Sequence, residues 1–202
     1  MKARLLTLLL FSILYSCAQD SYEKEMREYQ HEQNLKFHTE GSSPLTEKDL
    51  KNFSALVFYS IDPKYKVIAR LTKEKDPVIF EMQTTTERKP LYIKYGTLSF
   101  TIEGESQTLE LYQNKDYDRE PQYKNYLFLP FTDATSGDGS YAGGRYLDVL
   151  TTDERADGTI VLDFNKSYNP YCVYNSEFSC PLTPKQNHIS IAVKAGVKNF
   201  KE

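Results

Sequence analysis

The chain of 202 residues has no tryptophan and only three histidines, three cysteines and three methionines, and these shortages narrow the function classes it can serve. His31 and His38 stand seven residues apart on a predicted helix, so their side chains start about 10 Å apart and cannot share one metal ion. Only His188 lies near cysteines in sequence. No serine or cysteine sits in a nucleophile signature, so triad chemistry would rest on that single histidine. Cations are outnumbered as well: 25 Lys and Arg stand against 28 Asp and Glu, a formal charge of −3. Nucleic acid is thereby disfavoured as a partner, because phosphate binding needs clustered cations. No internal repeat and no long low-complexity tract divides the chain.

Apolar runs are scarce too, with one exception. Residues 1–17 read MKARLLTLLLFSILYSC, with Lys2 and Arg4 ahead of an apolar run from Leu5 to Leu14. This is the layout of a secretory signal peptide, too short for the roughly 20 apolar residues a bilayer crossing requires. Its end, Leu14-Tyr15-Ser16-Cys17, resembles the lipobox of bacterial lipoproteins, although Tyr15 is bulkier than usual there. The resemblance implies a leader over 1–16, diacylglycerol on the Cys17 thiol, a short tether over 17–21 and a single domain over 22–202. Two acyl chains suffice for stable anchoring, so the expected partner is a membrane, held through the lipid on Cys17. The expected location is the cell envelope, facing outside the cytoplasm. Loss of Lys2 and Arg4 with the leader leaves 23 basic residues against 28 acidic ones, a formal charge near −5.

What is plentiful is tyrosine, 16 in all, with 11 phenylalanines. From Asp20 the sequence predicts a helix: Asp20 as cap, Glu23 three residues later, and Tyr22, Met26 and Tyr29 at helical spacing. Gly41-Ser42-Ser43-Pro44 ends it, and Thr46 opens a short second helix. After Ala55 the period becomes two. LVFYSI, YKVIARL, PVIFEM and PLYIKY read as strands, and TLSFTIEGESQTLELYQ as a hairpin with Leu98, Phe100, Ile102, Leu109 and Leu111 on one face. Beyond a charged loop at 114–126, LFLPF, RYLDVL, TIVLDF and HISIAV add four more strands. The expected class is mainly β (α+β), an antiparallel sandwich or curved barrel-like sheet preceded by an N-terminal helix.

The glycine-rich stretch FTDATSGDGSYAGGRYLD, residues 131–148, lacks the Lys-Ser or Lys-Thr of a phosphate loop and the ligand spacing of a calcium loop. No cofactor is expected. What survives there is Asp133, Arg145 and Asp148, either a binding surface or, the favoured reading, an ordinary charge pair. In TIVLDFNKSYNP, Asp163 and Asn165 project together ahead of Asn169-Pro170. They either satisfy nearby backbone groups or line a polar pocket for a small polar or sugar ligand beside nearby tyrosines. Cys172 and Cys180 invite three readings: a disulfide, a metal clip with His188, or a reactive pair. In an exported chain with Cys17 consumed by lipid, the disulfide is favoured, contributing roughly 2.5 kcal/mol by loop closure.

The run LFLPFTDATSGDGSYAGGRYLD, followed by DFNKSYNPYCVYNSEFSCPLTP, Asn187 and AGVKNF, resembles the bacterial family called domain of unknown function 1684. SPL at 43–45, FYSIDPKYKV and YIKYGTLSF agree, and the resemblance covers about residues 22–200. Members are commonly lipoproteins or short secreted chains, and the family implies no activity. Its hallmark positions fall on Asp133, Gly137, Tyr141, Gly144, Arg145, Asp163, Asn165, Asn169, Pro170, Cys172, Cys180, Pro181, Asn187, Ala195 and Gly196. Ser136 and Ala142 depart from it, where Asn and Gly are frequent. The expected function is a non-catalytic, ligand-binding or envelope-component-binding domain, with a surface drawn from Asp133, Tyr141, Arg145, Asp148, Asp163, Asn165, Asn169 and Asn187. The alternatives are a carbohydrate hydrolase using a pair among Asp133, Asp148 and Asp163, or a Cys172, Cys180 and His188 metal module.

Overall fold

In a computed structural model the backbone of residues 2–200 and the side chains of residues 19–200 are described; Cys17 and the leader lie outside the described side chains. Helix α1 (Lys2–His38) runs through Asp20, so Asp20 is interior and not a cap. Its inward residues, Tyr22, Met26, Tyr29, Gln33 and Phe37, recur every three or four positions, and Met26 and Phe37 are buried. Helix α2 (Glu47–Asn52) is capped as expected by Thr46, whose hydroxyl accepts from the Asp49 N–H.

The rest is one antiparallel sheet, curled into a half-barrel. Its strands are β1 (Lys66–Lys73), β2 (Ile79–Glu81), β3 (Leu91–Ile102), β4 (Glu105–Asn114), β5 (Tyr126–Asp133), β6 (Arg145–Leu150) and β7 (Thr159–Asp163). They lie in the order β6-β5-β4-β3-β1-β7, with β2 pairing to β3 and a short β8 (His188–Ile189) running parallel to β5. The β3–β4 hairpin pairs Leu98 with Leu109, and its apolar residues share one face as expected. Its two-residue turn, Glu103-Gly104, holds both φ angles positive, at 49° and 83°, the backbone a tight hairpin demands.

Three strand expectations are corrected. PLYIKY and TLSFTI are one strand, β3, carrying a bulge between Lys94 and Gly96. Strand β1 passes so close that a Cβ at Gly96 would stand 2.6 Å from the Thr72 carbonyl oxygen, so only glycine fits. LVFYSI makes no strand beyond the bridge Phe58 to Val197. Its backbone groups are taken instead by α1 and the C-terminal segment: the Leu56 N–H donates to Asn34 Oδ1, and the Tyr59 N–H to the Gly196 carbonyl. HISIAV likewise shrinks to the two residues of β8.

Inside the curl, Leu98, Leu109, Leu111, Leu127, Leu129, Phe131, Ile160, Leu162 and Phe164 form the main core. Strands β4, β5 and β6 also bury their opposite face, where Tyr112, Phe128 and Tyr146 join Tyr92 and Met82 in a separate aromatic cluster. A third cluster joins Phe37 of α1 to Leu45, Leu56, Tyr174 and Val197.

Candidate functional site

The aromatic face of β4–β6 is the floor of a cleft. On β6, Tyr146 and Asp148 point to that face while Arg145 and Leu147 point away from it, as the two-residue period requires. Two adjoining hollows, of ≈530 and ≈510 Å3, share Tyr29, Asp148 and Tyr168. The first lies between β6 and β7 and is lined by Lys66, Asp153, Arg155, Asp163 and Lys166 as well. The second is aromatic: Tyr92, Tyr117, Tyr123, Tyr126, Phe128, Tyr146, Tyr171, Tyr174 and Phe178 line it, with Lys36, Arg88 and Asn169 among the polar residues.

Helix α1 lies over both hollows and is pinned there by hydrogen bonds. The Tyr29 hydroxyl donates to the Lys166 carbonyl at 2.8 Å. The Tyr22 hydroxyl reaches both Asp163 carboxylate oxygens, at 2.9 and 3.0 Å, and the Lys166 ammonium pairs with Glu25 at 2.9 Å.

Asp148 sits where the hollows meet. Its Oδ1 accepts from the Tyr126 hydroxyl at 2.7 Å and from the Tyr168 hydroxyl at 2.5 Å. Burial, and then the Asp148 charge, push the Tyr126 hydroxyl well above its ordinary range; burial, Tyr126 and Asp148 do the same to Tyr168. Both phenols therefore stay protonated and act as fixed donors. Among the described residues no side chain or backbone group donates to the second Asp148 oxygen, and the residue is exposed. The arrangement holds one carboxylate rigid with an acceptor position open to the cleft.

The other residues read from the sequence are mostly interior. Asp133 and Arg145 form a fully buried ion pair, 2.7 Å long, and the guanidinium also donates to the carbonyls of Val193 and Ala195. Asp163 and Asn165 satisfy each other, Tyr22 and the Asp62 backbone. Asn187 is fully buried between β4 and β5. Six of the eight residues named as a surface are thus buried, and the charge pair and backbone-satisfying readings fit their contacts. Tyr141 is half-buried in the glycine-rich loop. Asp148 and Asn169 reach the aromatic hollow. Asn169 Nδ2 donates to the Lys198 carbonyl at 2.8 Å, which fixes the amide orientation, and its Oδ1 is buried with no partner.

Of the residues named for the two alternatives, Asp148 and Asp163 line the first hollow together. Asp133 is sealed against Arg145 and both Asp163 oxygens are occupied, leaving Asp148 as the one carboxylate of the three with a free acceptor. His188 Nδ1 pairs with the Thr132 hydroxyl at 3.0 Å. Among the described residues no group of three His, Cys, Asp or Glu side chains is placed to hold a metal ion.

The expected disulfide is also corrected: Cys172 and Cys180 are free thiols. The fold does bring them together, the Cys172 N–H donating to Cys180 Sγ at 3.2 Å. The contact is a hydrogen bond, and Cys180 is tied separately to the 84–88 loop through Thr85. The hydrogen bond between the two thiols lowers Cys172 to about 7, while the same bond and burial push Cys180 up. Alkylation of Cys172 should therefore rise to its plateau through about pH 7, ahead of Cys180, since the thiolate is the nucleophile. Peptide mass spectrometry after pulsed iodoacetamide across pH 5 to 10 reads this. A Cys172 midpoint near 8.5, or faster labelling of Cys180, contradicts the assignment.

Sequence reasoning placed tyrosines near Asp163 and Asn165 but did not single out Tyr29, Tyr126 or Tyr168 as site residues. The abundance of tyrosine without tryptophan was the available signal, but these three come from distant segments.

The sequence profile of the family described as protein of unknown function (DUF1684) matches residues 51–198. Among solved structures, the solution NMR structure of an uncharacterized protein of Haloarcula marismortui is 34% identical, with a TM-score of 0.68, over 92% of this chain and 98% of that one. No curated protein matches the chain. The profile spans most of the sheet and the solved relative extends the likeness over the helical part; the chain belongs to the DUF1684 family.

Proposed function

We propose that this protein is a lipid-anchored component of the cell envelope whose domain binds a small polar or glycan ligand in the tyrosine cleft, without catalysing its conversion. The observation that carries this reading is Asp148, an exposed carboxylate fixed through one oxygen by two tyrosine hydroxyls and lining the aromatic hollow. Aromatic faces with a few convergent polar groups are the usual composition of a small-ligand site. Asp148 and Asp163, which line the first hollow together, are both engaged by tyrosine hydroxyls, and the phenols on Asp148 stay protonated, an arrangement suited to holding a ligand more than to the proton transfers of glycoside hydrolysis. The lipobox-like segment ending at Cys17 is the support for the anchor.

One experiment with two arms tests it. Full-length protein in detergent is titrated calorimetrically with a panel of envelope oligosaccharides. Hydrogen bonds to a charged group contribute about 1.5–3 kcal/mol, so Asp148→Ala should weaken binding about 10- to 100-fold. Equal affinity of the two proteins removes the cleft as the site. In cells, Cys17→Ser should move the protein from the membrane to the soluble fraction; a variant that still carries lipid and sediments with membranes removes the anchor.

A further inference from the structure

The charges around the cleft run against those of the chain. Five cationic side chains, Lys36, Lys66, Arg88, Arg155 and Lys166, line the two hollows against three carboxylates, Asp148, Asp153 and Asp163, in a chain whose formal charge is −3. In the aromatic hollow the imbalance is sharper, since Lys36 and Arg88 face Asp148 alone.

Neither cation of that hollow is neutralised. Among the described residues neither has an ion pair within 4 Å. Lys36 Nζ lies 5.2 Å from the centroid of the Tyr171 ring. Arg88 is held at the rim by the Ser179 hydroxyl, 3.1 Å from Nε, and the Ser179 carbonyl, 2.8 Å from Nη2. Its guanidinium has donors left over after these two bonds.

Two acceptors on residues of the same hollow have no donor among the described residues. Asp148 Oδ2 has no donor, and Asn169 Oδ1 is a buried carbonyl with none, on a residue 1% exposed. An orphaned buried acceptor is costly, but the Asn169 oxygen is closed to solvent, so the acceptor an occupant meets is Asp148. An occupant must therefore be donor-bearing at the carboxylate, apolar-faced against the tyrosines, and anionic at the rim.

We propose that the ligand is a saccharide carrying an acidic group, a carboxylate or a phosphate. Its ring hydroxyls donate to Asp148 Oδ2, its C–H face lies on the tyrosines, and its acidic group meets Lys36 and Arg88. The inference rests on the cleft reading above and deepens it. A neutral sugar would leave both cations unused. A free anion without hydroxyls would meet only repulsion at Asp148.

The test pairs each acidic saccharide with its neutral counterpart. Full-length protein in detergent is titrated with trigalacturonate, with its methyl ester, and with a hexose phosphate beside the free hexose. The acidic member of a pair should bind at least about tenfold more tightly. That preference should shrink in Lys36→Gln, vanish in a Lys36→Gln, Arg88→Gln double variant, and fall with added salt, while ester binding stays flat. The pair showing the larger preference identifies whether the charge is carboxylate or phosphate. Because Arg88 also holds the Ser179 segment, the Lys36→Gln variant and the salt series carry the result if the double variant unfolds. Equal binding of acid and ester, or an acid preference that ignores both Lys36 and salt, overturns the acidic ligand and leaves the cleft standing. Binding of no member by the wild-type protein overturns both.

Discussion

Arg145→Ala should lower the unfolding free energy by about 3–5 kcal/mol, the usual consequence of leaving one member of a buried ion pair behind. The side chain is 0% exposed and ties β6 to the Asp133 carboxylate on β5 and to the Val193 and Ala195 carbonyls of the C-terminal segment. It also lies 5.3 Å from the centroid of the Phe131 ring and 5.8 Å from that of Tyr59. Truncation leaves Asp133 charged in the interior with only the N–H groups of Thr135 and Val193, and frees two carbonyls of the C-terminal segment. Urea denaturation reads the loss, and the melting temperature should fall by roughly 6–20 °C at about 2–4 °C per kcal/mol. Adding Asp133→Asn to Arg145→Ala should recover part of the loss, because the stranded charge disappears while the acceptor for Thr135 and Val193 remains. A midpoint shift worth under about 0.5 kcal/mol would show that the pair is not structural.

This pair also marks where the sequence ran out. The β3–β4 hairpin was legible because alternation and Gly104 are local, and Leu98, Leu109 and Leu111 turned inward as their spacing requires. The inner face of α1 was legible for the same reason. The role of Arg145 was not, since the carbonyls that receive it lie some 50 residues away in chain order. A charged residue in a glycine-rich stretch reads as surface until those partners are known. The residues from 56 to 61 mislead in the opposite way: their pattern is that of a strand, yet Asn34 and the C-terminal segment take the backbone groups a strand would have used. At the cleft, sixteen tyrosines were countable, but only the fold shows that Tyr126 and Tyr168 converge on Asp148. Cys172 and Cys180 were rightly read as neighbours; spacing carries no information on whether neighbours are bonded.

Asn187→Ala should cost about 2–4 kcal/mol, and the reason begins with a proline in a central strand. Strands β4 and β5 are neighbours, yet Tyr112 opposite Phe128 is their one registered pair. Two residues back along β4, Glu110 comes opposite Pro130, which has no N–H to give. The ladder would break there, with buried groups unpaired. Asn187 supplies the missing peptide from its side chain. Its Nδ2 donates to the Glu110 carbonyl at 2.8 Å and to the Pro130 carbonyl at 2.7 Å, and its Oδ1 accepts the Glu110 N–H at 2.8 Å. Its own carbonyl then accepts from the Thr132 N–H, resuming the pattern one step along β5. Alanine at 187 strands one donor and two acceptors, each worth about 1–3 kcal/mol when buried and unmet, with water recovering part of the total. Asn187→Asp should fail comparably, since a carboxylate has no N–H for either carbonyl. Urea denaturation gives the stability loss, and amide exchange gives its location: the Glu110 N–H should lose protection well before those of Leu98 and Leu109. An alanine variant within about 0.5 kcal/mol of the native protein would mean that the sheet tolerates the gap at Pro130 unaided. The effect should extend to the cleft, because the β4–β5 junction that Asn187 closes carries Tyr112 and Phe128 on its aromatic face.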